Sequence, residues 1–135
     1  MYVYITGRIK NKKKIENFVY DTLSELLPRL KRNVFIDIDI VTKCDDNISA
    51  FCCGDKEEVQ IELARECEGI KFSLDEMVKH LAHELVHAKQ FIKGELHPSL
   101  RHWNNKDYSK VSYCKTPWEK EAYLLEKKLV NKHWN

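Results

Sequence analysis

The sequence predicts an α+β domain with an N-terminal helix, a three- or four-stranded, mostly antiparallel sheet, and two further helices. Apolar residues recur at three- and four-residue steps in three segments, which is typical of amphipathic helices. They alternate with polar residues in two other segments, which is typical of half-buried strands. With 135 residues, the chain has the length of one domain with a modest core.

The chain begins with a β-prone run, residues 2–6, which we expect to be an edge strand. A helix is predicted from residue 11 or 12, because apolar residues such as Phe18 and Leu23 then follow a helical period. Pro28 should end or kink that helix, since proline donates no amide hydrogen and its ring clashes with the preceding turn.

Three further segments are predicted to build most of the sheet. Residues 33–41 alternate, with valine and isoleucines on one face and Asp37 and Asp39 on the other, so this strand should be half-buried. Residues 49–53 and 58–63 are predicted to form the next two strands, and the second of them alternates again. We assign the acidic side chains of these strands to solvated faces rather than to a carboxylate site.

The functional interpretation depends on the helix predicted next. Ser73 and Glu76 match a capping box at its start, and Gly94 supplies a stop at its end. The helix contains H-E-x-x-H, with His83 and His87 one turn apart on the same side. Two imidazoles at this spacing can bind one metal ion.

The residue types of the motif suit metal-assisted hydrolysis. Zn²⁺ binds neutral imidazole nitrogens and, in catalytic sites, keeps one position for water. Glu84 lies one residue further around the helix than His83, beside such a water, and can act as the general base. The longer metzincin motif is absent, because Gln90 and Lys93 stand where that family has glycine and histidine.

A carboxylate from the last helix, residues 116–135, can complete the metal site. This helix opens with a second capping box, formed by Thr116 and Glu119. The capping box uses the Glu119 carboxylate, whereas Glu121 is free and lies on the face that is predicted to pack inward. We therefore expect Glu121 to be the third ligand, with Glu119 as an alternative.

The two motifs together resemble those of the gluzincin zinc metallopeptidases. His83-Glu84-x-x-His87 is followed 34 positions later (121 − 87) by Glu121 in the sequence Trp-Glu-Lys-Glu-Ala, and this resembles in particular the small minigluzincins. The resemblance implies a zincin-like fold, one Zn²⁺ per chain and hydrolysis of peptide bonds. Thermolysin-like members place Asp four residues after the ligand Glu, where this chain has Leu125.

The segment between the two helices, residues 95–115, is predicted to form one wall of a cleft, as a cover or as a small hairpin that turns at Asn104-Asn105. SprT-like proteases take a ligand from this region, so a histidine here is a further alternative to Glu121. Candidate donors to a tetrahedral intermediate, with packing or exposure as the alternative role, are Tyr108, Tyr113, Tyr123, His97 and His102.

In the expected reaction, Glu84 takes a proton from a metal-bound water and delivers it to the leaving amine of a peptide or protein substrate. The resemblance also implies a strand at the sheet edge that pairs with an extended peptide. The residues expected in this strand are Glu58, Val59, Gln60, Ile61 and Glu62.

Two other functions stay open. One is a zinc-binding regulatory or latent module that turns over no substrate. The other is another zinc amide hydrolase, as in deformylase-like enzymes, in which Cys52 or Cys53 would bind the metal instead of a glutamate.

Composition and charge bear on nucleic-acid binding, the state of the cysteines and the cellular location of the protein. The net charge is only +2 and solvated helix ends explain the basic clusters, so we do not expect nucleic-acid binding. Five cysteines without a C-x-x-C pair favour reduced thiols. No signal peptide or membrane-length apolar run is evident, so we expect a cytoplasmic monomer without membrane contact.

The single domain is expected to comprise a helix and sheet (1–72), the active-site helix (73–94), the cleft loop (95–115) and the Glu helix (116–135).

Overall fold

Three helices and a mixed four-stranded sheet make up the α+β fold that the computed structural model describes for residues 1–134. The elements in chain order are β1 (Tyr2–Thr6), α1 (Lys12–Leu26), β2 (Phe35–Val41), β3 (Ala50–Gly54), β4 (Glu58–Ala64), the short strands β5 (Glu66–Cys67) and β6 (Ile70–Lys71), α2 (Leu74–Ile92), the short strands β7 (His102–Trp103) and β8 (Lys106–Asp107), and α3 (Pro117–His133). None of the helices described is long and apolar enough to cross a membrane.

The sheet has the strand order β1-β2-β4-β3. β1 pairs with β2 in parallel, and so does β2 with β4, whereas β3 and β4 are antiparallel. The prediction of a mostly antiparallel sheet is therefore wrong. Helix α1 carries the chain back between β1 and β2, which permits their parallel pairing, and β4 inserts between β2 and β3.

The individual elements lie close to their predicted bounds. β1 is an edge strand, α1 ends before Pro28, and inward side chains of β2 such as Ile36 are buried. The capping box predicted for α2 is present. The Ser73 hydroxyl accepts from the Glu76 amide at 3.1 Å, and the Glu76 carboxylate accepts from the Ser73 amide at 3.0 Å.

Helix α2 lies at the centre of the fold. α1 and α2 pack against the sheet, and α3 packs mainly against α2. Residues 81–92 are consequently all buried, including the H-E-x-x-H side that lies away from the apolar stripe. The opposite face of the sheet is open and exposes aromatic side chains such as Tyr4 and Phe35.

The segment after α2 contains the predicted hairpin. β7 and β8 pair in antiparallel fashion around Asn104 and Asn105, whose φ angles are 48° and 67°. Asparagine tolerates this left-handed conformation better than most residues, which explains the tight turn. The hairpin side chain Trp103 lies near Trp118 of α3, with ring centroids 6.5 Å apart. The segment is thereby attached to the start of the last helix.

Candidate metal centre

Helix α2 places His83 and His87 side by side, one helical turn apart. Their ring centroids are 4.9 Å apart, and the rings are inclined by 80°. Because α3 packs against α2, the two residues are only 9% and 6% exposed. The Nε2 atoms of both rings contact one residue of α3, Glu119.

Glu119, in the first turn of α3, bridges the two histidines. Its Oε1 atom lies 2.9 Å from Nε2 of His83, and its Oε2 atom lies 2.9 Å from Nε2 of His87. The residue is only 2% exposed. The candidate ligand atoms of the three residues all lie within 4.8 Å of one another, so this group could hold a metal ion.

The spacing of the closest of these atoms can be compared with that in a metal site. Zinc binds nitrogen and oxygen at about 2.0–2.2 Å, so its ligand atoms lie roughly 3.3 Å apart. The 2.9 Å contacts between Glu119 and the imidazoles are near this value, and each of them uses a different carboxylate oxygen. Two imidazoles and a carboxylate are also the protein ligands of zinc sites that keep a fourth position for water.

The charges of the group stabilise one another. Burial raises the pKa of Glu119, but hydrogen bonds from His83 and His87 outweigh this effect and lower the pKa to about 2. Burial lowers the pKa of each histidine, but the hydrogen bond to Glu119 and the charge of Glu84 leave both pKa values raised. In the metal-free protein, the carboxylate therefore favours protonated histidines.

Glu84 is buried beside this group with an unpaired oxygen atom. It is 8% exposed, and its Oε2 atom has no hydrogen-bond partner among the described residues. Burial raises the pKa of Glu84, because the ionised carboxylate loses its hydration. An unpaired buried oxygen is costly, so its presence calls for an explanation such as a bound water.

A cavity of about 460 Å³ opens onto Glu84, His87 and Glu119. Strand β3 forms one of its walls, and the segment after α2 forms another, as the sequence predicts. Apolar side chains such as Phe51 and Leu100 line most of this surface. Glu84 therefore lies at the boundary between the metal-binding group and this cavity, with its Oε2 atom buried.

The remaining ring nitrogen of each histidine has its own partner. Nδ1 of His83 lies 2.9 Å from Oε2 of Glu126, and Nδ1 of His87 lies 2.7 Å from Oε1 of Gln90. Partners of this kind fix the orientation of metal-binding imidazoles. Leu125, four positions after Glu121, has an apolar side chain and cannot accept such a hydrogen bond. The next residue, Glu126, accepts one.

The structure does not bring Glu121, the expected third ligand, to the two histidines. Its carboxylate accepts hydrogen bonds from Lys89 at 2.8 Å and from Gln90 at 3.0 Å. The Glu119 carboxylate is available instead, because the capping box expected at Thr116 does not form and this hydroxyl donates to a backbone carbonyl. We therefore correct the third residue of the group from Glu121 to Glu119.

The three candidate tyrosines lie at different places around the site. Tyr108 and Tyr113 line the cavity. Tyr113 is 67% exposed, but desolvation at its hydroxyl and the nearby Glu119 carboxylate raise its pKa. Tyr123 packs edge-on against His83, with ring centroids 4.7 Å apart. Of the three, Tyr113 therefore combines a place in the cavity with proximity to the metal-binding group.

The alternative ligands from other segments are not brought into the group. His97 and His102 lie with ring centroids 5.7 Å apart beside a different cavity, and His97 is hydrogen-bonded to Ser99 at 2.8 Å. Cys52 lines the cavity next to Glu84, and Cys53 is partly buried. The group found among residues 1–134 contains no cysteine.

The strand expected to bind a peptide is not at the sheet edge. The residues from Glu58 to Glu62 belong to β4, which pairs with β2 on one side and with β3 on the other. Their backbone groups are therefore already bonded, and the prediction of Glu58, Val59, Gln60, Ile61 and Glu62 as an edge strand is wrong. The edge strand beside the cavity is β3, with Phe51 and Cys52 in its wall.

Three buried or partly buried polar residues around the site were not predicted from the sequence: Lys89, Gln90 and Glu126. Gln90 lies three residues after His87, and Glu126 lies seven residues after Glu119, so each pair shares a helix face. These spacings are visible in the sequence. The sequence does not show, however, that the two faces meet.

Comparisons of the chain with protein families, curated proteins and solved structures found no match. The fold and the site together define a class, an α+β domain with a buried His-His-Glu group that could hold a metal ion. Because one fold can host many functions, the function has to be argued from the chemistry of this group.

Proposed function

We propose that the protein is a zinc-dependent metallopeptidase in which His83, His87 and Glu119 bind the metal and Glu84 is the general base. The observation that carries the proposal is the unpaired, buried oxygen of Glu84 between the metal-binding group and the cavity. Burying this carboxylate costs stability, and a role in proton transfer accounts for its position beside the metal-binding group. Two imidazole ligands favour zinc over magnesium or calcium, which prefer oxygen.

The residues of the cavity have separate parts in the proposed hydrolysis. His83, His87 and Glu119 would hold a zinc ion, which would supply a Lewis acid and lower the pKa of a bound water to about 7. Glu84 accepts a proton from the attacking water while the new C–O bond forms at the scissile carbonyl. It then donates that proton to the amide nitrogen as the C–N bond breaks. The raised pKa of Glu84 suits a carboxylate that gains and loses a proton in this way.

A peptide substrate is supported by the surfaces around Glu84. One side of the β3 backbone is free of other strands, so an extended peptide can add to the sheet along the cavity. The apolar wall formed by residues such as Phe51, Leu100 and Val111 suits apolar side chains. The protonated hydroxyl of Tyr113 can donate to the oxyanion that develops during attack.

The proposal is tested by digesting casein while the zinc content of the same samples is measured. The wild type is expected to carry zinc and cleave. Glu84→Gln should keep the metal but lose about 10²–10⁴-fold in rate, because it removes the proton acceptor. A matched control is Glu58→Gln on the open sheet face, which should change neither property.

Two results would contradict the proposal. Equal cleavage by Glu84→Gln and the wild type would remove the assigned base. Zinc bound by a wild type that cleaves neither casein nor a library of short peptides would contradict the peptidase and favour a zinc-binding regulatory module.

A further inference from the structure

We propose that Gln90, held in one orientation by Glu121 and by the backbone of Trp118, is a positioning residue that keeps a proton on Nδ1 of His87 and leaves Nε2 free for the metal. The inference rests on the metal-binding part of the proposed function and does not depend on peptide hydrolysis. It gives a role to Glu121, which the metal-binding group does not use.

The contacts of Gln90 fix the orientation of its amide. Gln90 is fully buried, at 0% exposure. One end of the amide lies 3.0 Å from the carbonyl oxygen of Trp118 and 3.0 Å from Oε1 of Glu121. A carbonyl and a carboxylate only accept hydrogen bonds, so the amide nitrogen has to face both of them. The amide oxygen therefore faces His87, at 2.7 Å from Nδ1.

This orientation determines which nitrogen of His87 can bind a metal. The amide oxygen of Gln90 can only accept, so Nδ1 of His87 has to donate. When a metal replaces the Nε2 proton that bonds to Glu119, the proton that remains on the ring is held on Nδ1 by the Gln90 oxygen. A flipped amide would place its oxygen against the Trp118 carbonyl and the Glu121 carboxylate, where both contacts would be repulsive.

Glu121 is itself held in place by a partly buried ion pair. Nζ of Lys89 lies 2.8 Å from Oε1 of Glu121 and 2.9 Å from Oε1 of Glu95, and Lys89 is 7% exposed. His83 needs no such chain of contacts, since the Glu126 carboxylate accepts from its Nδ1 directly. The two histidines are thus oriented by different means, one by a carboxylate and one by an amide that Glu121 orients.

Zinc affinity measured by competition with a chromophoric chelator tests the inference. Gln90→Leu keeps the side-chain size but removes the acceptor, and should weaken zinc binding about 10–100-fold. Glu121→Leu should weaken it by less, since the Trp118 carbonyl still orients the amide. Glu121→Gln, whose side-chain oxygen can still accept from Gln90, should bind zinc nearly as the wild type does. Gln60→Leu on the open sheet face is the matched control and should have no effect.

Nuclear magnetic resonance of the zinc-loaded protein supplies a second readout, which reports the hydrogen bond at Nδ1 of His87 directly. The Nδ1 proton of His87 should be shifted downfield and protected from exchange in the wild type and in Glu121→Gln. It should lose this protection in Gln90→Leu.

Equal zinc affinity of Gln90→Leu and the wild type, or an Nδ1 signal that is unchanged in Gln90→Leu, would overturn the inference alone. A wild type that cleaves no peptide but shows these differences would overturn only the peptidase. A wild type that binds no zinc would overturn both.

Discussion

Replacing Glu119 by Gln should destabilise the metal-free protein most strongly in mildly acidic solution. The pKa of Glu119 falls from 4.5 to about 2 in the folded protein, so its contribution to stability is present above pH 4.5 and lost as the pH falls towards 2. The pKa values of His83 and His87 are raised from 6.5. Their contribution is present below pH 6.5 and lost as the pH rises through the folded values. Both contributions to the stability of the folded protein are fully present between pH 4.5 and 6.5.

The size of this destabilisation follows from the pKa shift of Glu119. A change from 4.5 to about 2 corresponds to about 3 kcal/mol of interaction, at about 1.4 kcal/mol per pKa unit. The same contacts raise the pKa values of the histidines, so this free energy is counted only once. A loss of about 3 kcal/mol lowers the melting temperature of a domain of this size by roughly 10 °C.

Urea unfolding of chelator-treated wild type and Glu119→Gln, at about pH 5.5 and about pH 8.5, measures this difference in free energy. It should be about 3 kcal/mol at the lower pH and clearly smaller at the higher pH, where the histidines lose their charge. Glu58→Gln, whose side chain is exposed, should show little difference at either pH. A Glu119→Gln protein as stable as the wild type at about pH 5.5 would show that Glu119 does not stabilise the charged histidines, and so would a larger difference at about pH 8.5.

Three further predictions concern metal binding and the supporting fold. Zinc binding should release protons from His83 and His87, because their pKa values are raised. Calorimetry in buffers of different ionisation enthalpy measures this proton release. No release near neutral pH would contradict the protonated state of the two histidines. Ser73→Ala should cost about 1 kcal/mol in urea unfolding, since it removes a formed capping box, whereas Thr116→Ala should not show the loss of an N-cap bond. Leu85→Ala, at a site with 0% exposure, should cost about 2–5 kcal/mol, and a loss below about 1 kcal/mol would contradict the central position of α2.

The parts of the fold that sequence analysis predicted correctly depend on local patterns. The apolar period and the Ser73 capping box are contained within α2, and the alternation that buries Ile36 is contained within β2. Strand order could not be predicted from local patterns, because the pairing of β4 with both β2 and β3 depends on contacts between distant segments. Local alternation shows which face of a strand is buried but not which strands are its neighbours.

The choice between Glu119 and Glu121 could not be made reliably from the sequence. It relied on a capping box at Thr116, and an N-cap contributes only about 1 kcal/mol. The charge-assisted contacts that Glu119 makes with two buried histidines are worth more, so they decide the position of this side chain. Glu121 in turn meets Lys89, a residue whose burial is predicted only once the packing of α3 against α2 is known.

Zinc content by elemental analysis of purified wild type and Glu119→Ala, loaded with zinc and then dialysed, shows whether Glu119 binds the metal. We expect close to one zinc ion per wild-type chain and a large loss in Glu119→Ala, because two imidazoles alone leave the ion with an incomplete set of protein ligands. The Glu58→Ala protein, treated in the same way, should match the wild type. Equal zinc content in Glu119→Ala and the wild type would contradict the assignment of Glu119 as a metal ligand, and a wild type without zinc would contradict the metal centre itself.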